Sequence, residues 1–151
     1  LQQAVVVLQY AIERLGKRPS DIILQGDSAD AHLALALLSH LAHPHPQDIV
    51  PKFSVDEPLR GTMLLSPWVD FRTDHPSSNE NADRDVISAQ TLNSWAHIFL
   101  GQAVENEYNC PANTPTGWWR DLPVSKIFIG AGGDEVLLDP IRQTAEKMKV
   151  R

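Results

Sequence analysis

The sequence predicts an α/β fold, a mostly parallel sheet flanked by helices. Short apolar runs at 22–25, 61–65 and 124–130 alternate with longer stretches of helical periodicity, the order of strands joined by helical crossovers. The runs lack polar alternation, as do strands covered on both faces. The first run passes through Gly26-Asp27-Ser28-Ala29 into a long run of helix formers, with a serine at the sharpest point of the change.

The elements follow in order. Val5, Leu8, Ile12 and Leu15 stand at helical spacing, so residues 1–15 predict an amphipathic helix ending at Gly16. Pro19-Ser20-Asp21 is a connection, and 22–25 a buried strand. Residues 29–42 predict the next helix. His32 and His40 lie on it as ordinary surface or core-edge residues. His43-Pro44-His45-Pro46 breaks it, and no second ligand cluster with zinc-like spacing follows, so the run reads as a loop. Residues 44–58 are a Pro-rich connection.

The strand at 61–65 leads into Ser66-Pro67-Trp68-Val69-Asp70. Ligands of open α/β sheets bind outside the carboxyl ends of the strands, so Trp68 and Asp70 are candidates to line a binding site. A core tryptophan and a turn aspartate are the plainer alternative. Residues 71–86 are polar, 88–100 predict a helix with Leu92, Trp95, Ala96 and Phe99 at helical spacing, and 101–122 are irregular. Together they form a lid-like excursion at about 71–122, with Trp118-Trp119 as its anchor. The strand at 124–130 ends in the loop Ala131-Gly132-Gly133-Asp134-Glu135. A last helix covers 139–149, with Pro140 in its first turn.

At 151 residues the chain suffices for one domain with a sizeable core. A net charge of -6 and the lack of any Lys/Arg cluster argue against a nucleic-acid partner. No apolar run approaches the length of a transmembrane segment. Cys110 is the one cysteine, which excludes an intrachain disulfide, and no base stands near it in a recognisable motif. The opening Leu1-Gln2-Gln3 falls within a helical pattern, without an initiator Met or signal-like segment. A piece of a longer protein is therefore expected. The sequence does not address oligomeric state.

The turn at 26–29 has the layout of a nucleophile elbow, in which a tight strand-to-helix turn lifts a serine hydroxyl above the end of the sheet. Gly26 and Ala29 supply small neighbours, and the helix start offers free N–H groups to a developing oxyanion. The pattern G-x-S-x-G departs at its last position, where Asp30 stands and brings a carboxylate towards the expected oxyanion. The alternative is a Ser28 that only caps the helix.

Gly26-Asp27-Ser28-Ala29, the run Leu65 to Asp70, and Leu122-Pro123 before a strand with a Gly-rich acidic loop resemble the hormone-sensitive-lipase-like branch of the α/β-hydrolases. The resemblance covers nearly the whole chain. It implies a partial α/β-hydrolase fold, one truncated domain over 1–151, and a carboxylesterase or lipase of acyl esters that needs no metal or organic cofactor. It implies a small-molecule ester as partner. It makes Ser28 the nucleophile and the Ala29 N–H an oxyanion-hole donor. Matching Leu137 and Asp139 to the family's Asp-Pro-Leu-x-Asp motif puts Glu135 at the acid position, with Asp134 as the alternative. The family's His-Gly-Gly-Gly motif and triad histidine have no counterpart here, since the histidines all lie before residue 98. Turnover by the isolated chain is therefore not expected. Two other readings stand beside the esterase. One is a non-catalytic small-ligand-binding module on the same scaffold. The other is a nucleotide-binding domain suggested by Gly130-Ala131-Gly132-Gly133, which the acidic pair that follows disfavours.

Overall fold

The three apolar runs become the three strands of one parallel sheet: β1 (Ile23–Asp27), β2 (Gly61–Leu65) and β3 (Ile127–Gly130), in the order β1-β2-β3. Gly26 stands opposite Leu64, and Leu64 opposite Ile129. This is a computed structural model that describes residues 1–149. Val150 and Arg151, the end of the expected domain, lie outside the described residues.

Parallel neighbours need crossovers. The first contains α2 (Ala29–Ala42). The second runs through α3 (Pro76–Glu80) and α4 (Ala89–Leu100). Helix α1 (Gln2–Glu13) precedes the sheet and α5 (Leu138–Lys149) follows it. Local chemistry sets several ends. Gly16 leaves the turn after α1 at φ +62, a conformation that suits glycine. The Ser88 hydroxyl accepts from the Thr91 N–H and caps α4.

The sequence places two strand ends differently. β1 runs on through Gly26 and Asp27, because its ladder to β2 extends to the Ser28 N–H, which donates to the Leu65 carbonyl at 2.9 Å. β3 starts only at Ile127, while Val124 forms an isolated bridge with Leu59.

Helix α2 is the centre of the core. It is apolar on nearly all sides and correspondingly buried, with Ala31, Leu35 and Leu38 fully enclosed. It packs on the sheet face that carries Gly26 and Leu64. The opposite face exposes Ile23, Met63 and Phe128 at 57%, 38% and 55%. The strands thus have the apolar character of a sheet covered on both faces, but the described helices leave this face open, contrary to the expectation. The segment after β2 joins the core through Phe71, Leu92 and Trp119. Trp118 Nε1 donates to Ser39 Oγ at 3.1 Å. Among the described residues no helix is long and apolar enough to cross a membrane.

Candidate active site

β1 ends at Asp27 and α2 begins at Ala29, so Ser28 alone makes the turn, at φ +53 and ψ −110. A non-glycine residue held there costs of order 1–3 kcal/mol and persists only where its surroundings over-determine it. They do so here. The Ser28 N–H donates to Leu65 O, and its carbonyl accepts from the N–H groups of His32 and Trp68 at 3.0 and 3.2 Å. Gly26 lets the helix start close on the strand. A Cβ built on it would lie 2.3 Å from the Asp30 carbonyl carbon and 2.4 Å from the Ala31 nitrogen.

Ser28 occupies the N-cap position of α2 yet makes no side-chain cap hydrogen bond. Capping serines adopt an extended backbone, which φ +53 is not. The hydroxyl is therefore unclaimed by the helix, on a half-buried residue at the carboxyl end of β1. Ala29 is exposed and opens α2, where the first amides have no acceptor within the helix. Asp30 is also exposed and lines the groove between α1, β1 and α2 with Gln25 and Leu33. Ala29 lines a different cavity of about 420 Å³, together with His32, Ala36, Phe99 and Tyr108.

The loop after β3 separates its two acids. Glu135 is half-buried, and its Oε1 accepts from Ser66 Oγ and from the Gly132 N–H, both at 2.6 Å. Asp134 is exposed and pairs outward with Arg84 at 3.0 Å. The Gly132 N–H, one of the loop amides a phosphate could use, is taken by Glu135, which further disfavours the nucleotide-binding reading. The polar residues of 75–87 fasten this loop. Asn81 Nδ2 donates to the Glu135 carbonyl at 2.8 Å, the Val136 N–H donates to Asp85 Oδ2 at 2.7 Å, and the Ser77 N–H donates to Asp139 Oδ2 at 2.8 Å.

A family model described as alpha/beta hydrolase fold matches residues 1–151. The chain belongs to the α/β-hydrolase fold family. Among solved structures it is similar to an esterase of the bacterial hormone-sensitive lipase family, at 27% identity and a TM-score of 0.76, over 98% of this chain and 46% of that one. It is 27% identical over 146 residues to an esterase of Acinetobacter venetianus, covering 95% of this chain and 44% of the relative. It is 25% identical over 140 residues to the esterase LipU of Mycobacterium tuberculosis, covering 89% and 42%. This hormone-sensitive-lipase-like α/β-hydrolase chain thus spans less than half the length of the curated relatives it matches.

The histidines of this α/β-hydrolase chain are engaged elsewhere. His32 is buried with Nδ1 2.8 Å from the Trp68 carbonyl, and burial lowers its pKa. That contact requires Nδ1–H, so Nε2 carries the lone pair, and it has no partner. His40 bonds the Pro51 carbonyl and His43 the Trp118 carbonyl, both at 2.9 Å. His45 packs on Tyr108 with ring centres 4.4 Å apart. His75 Nε2 lies 2.9 Å from Asp70 Oδ2. None of these contacts involves the Ser28 hydroxyl, and the remaining histidine, His97, is exposed on α4. Among the described residues no group of three or more His, Cys, Asp or Glu could hold a metal ion.

Trp68 and Asp70 both lie in the interior, at 6% and 1% exposure. Trp68 packs edge-on against Phe71 and supports Ser28 through its backbone N–H. The Asp70 carboxylate accepts from Arg72 Nη2 at 2.7 Å, from the Arg72 N–H at 3.0 Å and from His75. Burial opposes its ionisation, but the hydrogen bonds from Arg72 and His75 outweigh burial and hold the carboxyl below its ordinary range. Sequence reasoning missed the Arg72 and His75 partners and the role of Ser66. The short spacing from Asp70 pointed to the first two. Nothing local pointed to a bond between Ser66 and a loop 69 residues further on.

Proposed function

We propose that this chain carries the nucleophile and the acid of a serine carboxylesterase acting on small acyl esters. The observation that carries this reading is Ser28, held at φ +53 between strand and helix with its hydroxyl outside the capping network. Its Oγ attacks the ester carbonyl carbon and passes its proton to a histidine base. The tetrahedral oxyanion is stabilised by the Ala29 N–H at the positive end of α2. Collapse expels the alcohol, which takes the proton from the base, and leaves an acyl group on Ser28 for water to remove. Glu135 orients and electrostatically supports that base. What favours Glu135 over Asp134 is its inward position beside the end of β2, against Asp134's outward pairing with Arg84. The cavity beside Ala29 would receive the acyl or alcohol group. Phe99 of α4 reaches it, which supports a lid-like role for 71–122. The reaction needs no metal or organic cofactor.

None of the described histidines bonds Ser28, and this reading takes its base from outside residues 1–149. The 151-residue chain should accordingly hydrolyse p-nitrophenyl acetate no faster than its Ser28→Ala variant. The chain together with its genomic flanking sequence should show turnover that Ser28→Ala abolishes. In that longer protein Glu135→Gln should lower kcat by orders of magnitude, and Asp134→Asn should do much less. If the longer protein also shows no Ser28-dependent turnover, the esterase reading fails, and binding of a small ligand without turnover would support the small-ligand-binding module instead.

A further inference from the structure

We propose that Ser66 is the positioning residue of the acid, fixing the Glu135 carboxylate so that one oxygen remains free for the base. The inference rests on the reading of Glu135 as the acid. Its starting point is a second backbone outlier. Ser66 has φ +44 at the end of β2, as Ser28 has φ +53 at the end of β1, and Ser66 is followed by Pro67. Glycine meets a positive φ without a Cβ penalty. A serine there calls for a use of its side chain, and the structure supplies one. Ser66 Oγ donates to Glu135 Oε1 at 2.6 Å, a short, charge-assisted bond. The Gly132 N–H donates to the same oxygen at 2.6 Å. Both donors fall on Oε1, and Oε2 has no partner among the described residues. A carboxylate held in this way presents its second oxygen in one direction, as an acid must to orient an imidazole N–H.

The backbone ties this carboxylate to the nucleophile. The Ser66 N–H donates to the Gly130 carbonyl at 2.7 Å, and the preceding residue, Leu65, accepts from the Ser28 N–H. The end of β2 therefore touches the serine turn with one residue and the acid with the next. Ser66 does not touch the reacting atoms in this scheme. It acts through Glu135.

The test compares Ser66→Ala, which removes the hydroxyl and keeps the strained backbone, with Ser66→Gly, which removes the hydroxyl and relieves the strain. It uses the longer protein with its flanks. Both variants should lose kcat by about ten- to hundredfold, the span of a hydrogen bond to a charged group, with KM within about twofold. Stability should instead separate them, with the glycine variant the more stable. In a Glu135→Gln background neither substitution should lower kcat by more than about twofold further, since the carboxylate they position is gone. Activity that follows stability, with Ser66→Gly near wild type, would mean a purely backbone role and overturn the inference. So would a full further loss in the Glu135→Gln background. If Glu135→Gln itself leaves kcat unchanged, the assignment of the acid fails rather than the Ser66 contact. Should Ser66→Ala not fold, Ser66→Gly still decides the case.

Discussion

Replacing Gly26 by alanine tests the physical basis of the serine turn. The new Cβ would stand 2.3, 2.4 and 2.5 Å from the Asp30 carbon, the Ala31 nitrogen and the Asp30 oxygen. Carbon atoms prefer about 3.5–4.0 Å, so the shortfall exceeds about 1 Å. All three obstacles are backbone atoms of the first turn of α2, and no side-chain rotation relieves them. Gly26 is not among the glycines with positive φ, so the penalty is steric and not conformational. Overpacking costs typically about 1–3 kcal/mol, and a wholly backbone obstacle belongs at the upper end, about 3 kcal/mol. With a urea slope of about 2 kcal/mol/M, the unfolding midpoint falls by about 1.5 M. Urea titration followed by the fluorescence of the four tryptophans measures it. Gly133→Ala is the control. A Cβ there meets nothing within 4 Å, and stability should stay within about 0.5 kcal/mol of wild type. A Gly26→Ala variant as stable as that control would refute the close-approach argument.

The Asp70 cluster and Cys110 give three further expectations. Asp70→Ala leaves the buried His75 Nε2 and the Arg72 fork without their acceptor and should destabilise by about 3 kcal/mol in the same titration. Because the folded state holds the Asp70 carboxyl below its ordinary value, its contribution is complete above the unfolded value of about 3.9 and is lost as pH falls further. Wild type should therefore lose more stability than Asp70→Asn between about pH 5 and 3, and parallel curves would contradict this. Burial pushes the Cys110 thiol up to about 12, so iodoacetamide at about pH 8 should label the native chain on the order of 10³-fold more slowly than the unfolded one. Native labelling within tenfold of the unfolded rate would place Cys110 at the surface.

The sequence by itself determined the α/β class, because strand and helix periodicities are local properties and each segment here carries its own. It determined α2 to the residue, since Ser28 and His43 bound an unbroken run of helix formers. It located the serine turn, whose need for small neighbours is written in Gly26 and Ala29. Tertiary structure decided what depends on distant partners. Only the fold could show that Ser28 sits at N-cap without capping, because that depends on a φ held by Leu65 and Trp68. The motif register already preferred Glu135 to Asp134, but only the fold showed their different surroundings. The two are chemically similar and adjacent in sequence, and they differ because Ser66 faces one and Arg84 the other. The open face of the sheet was equally illegible. An apolar strand signals that it can be covered on both faces, but what covers it is a property of other segments.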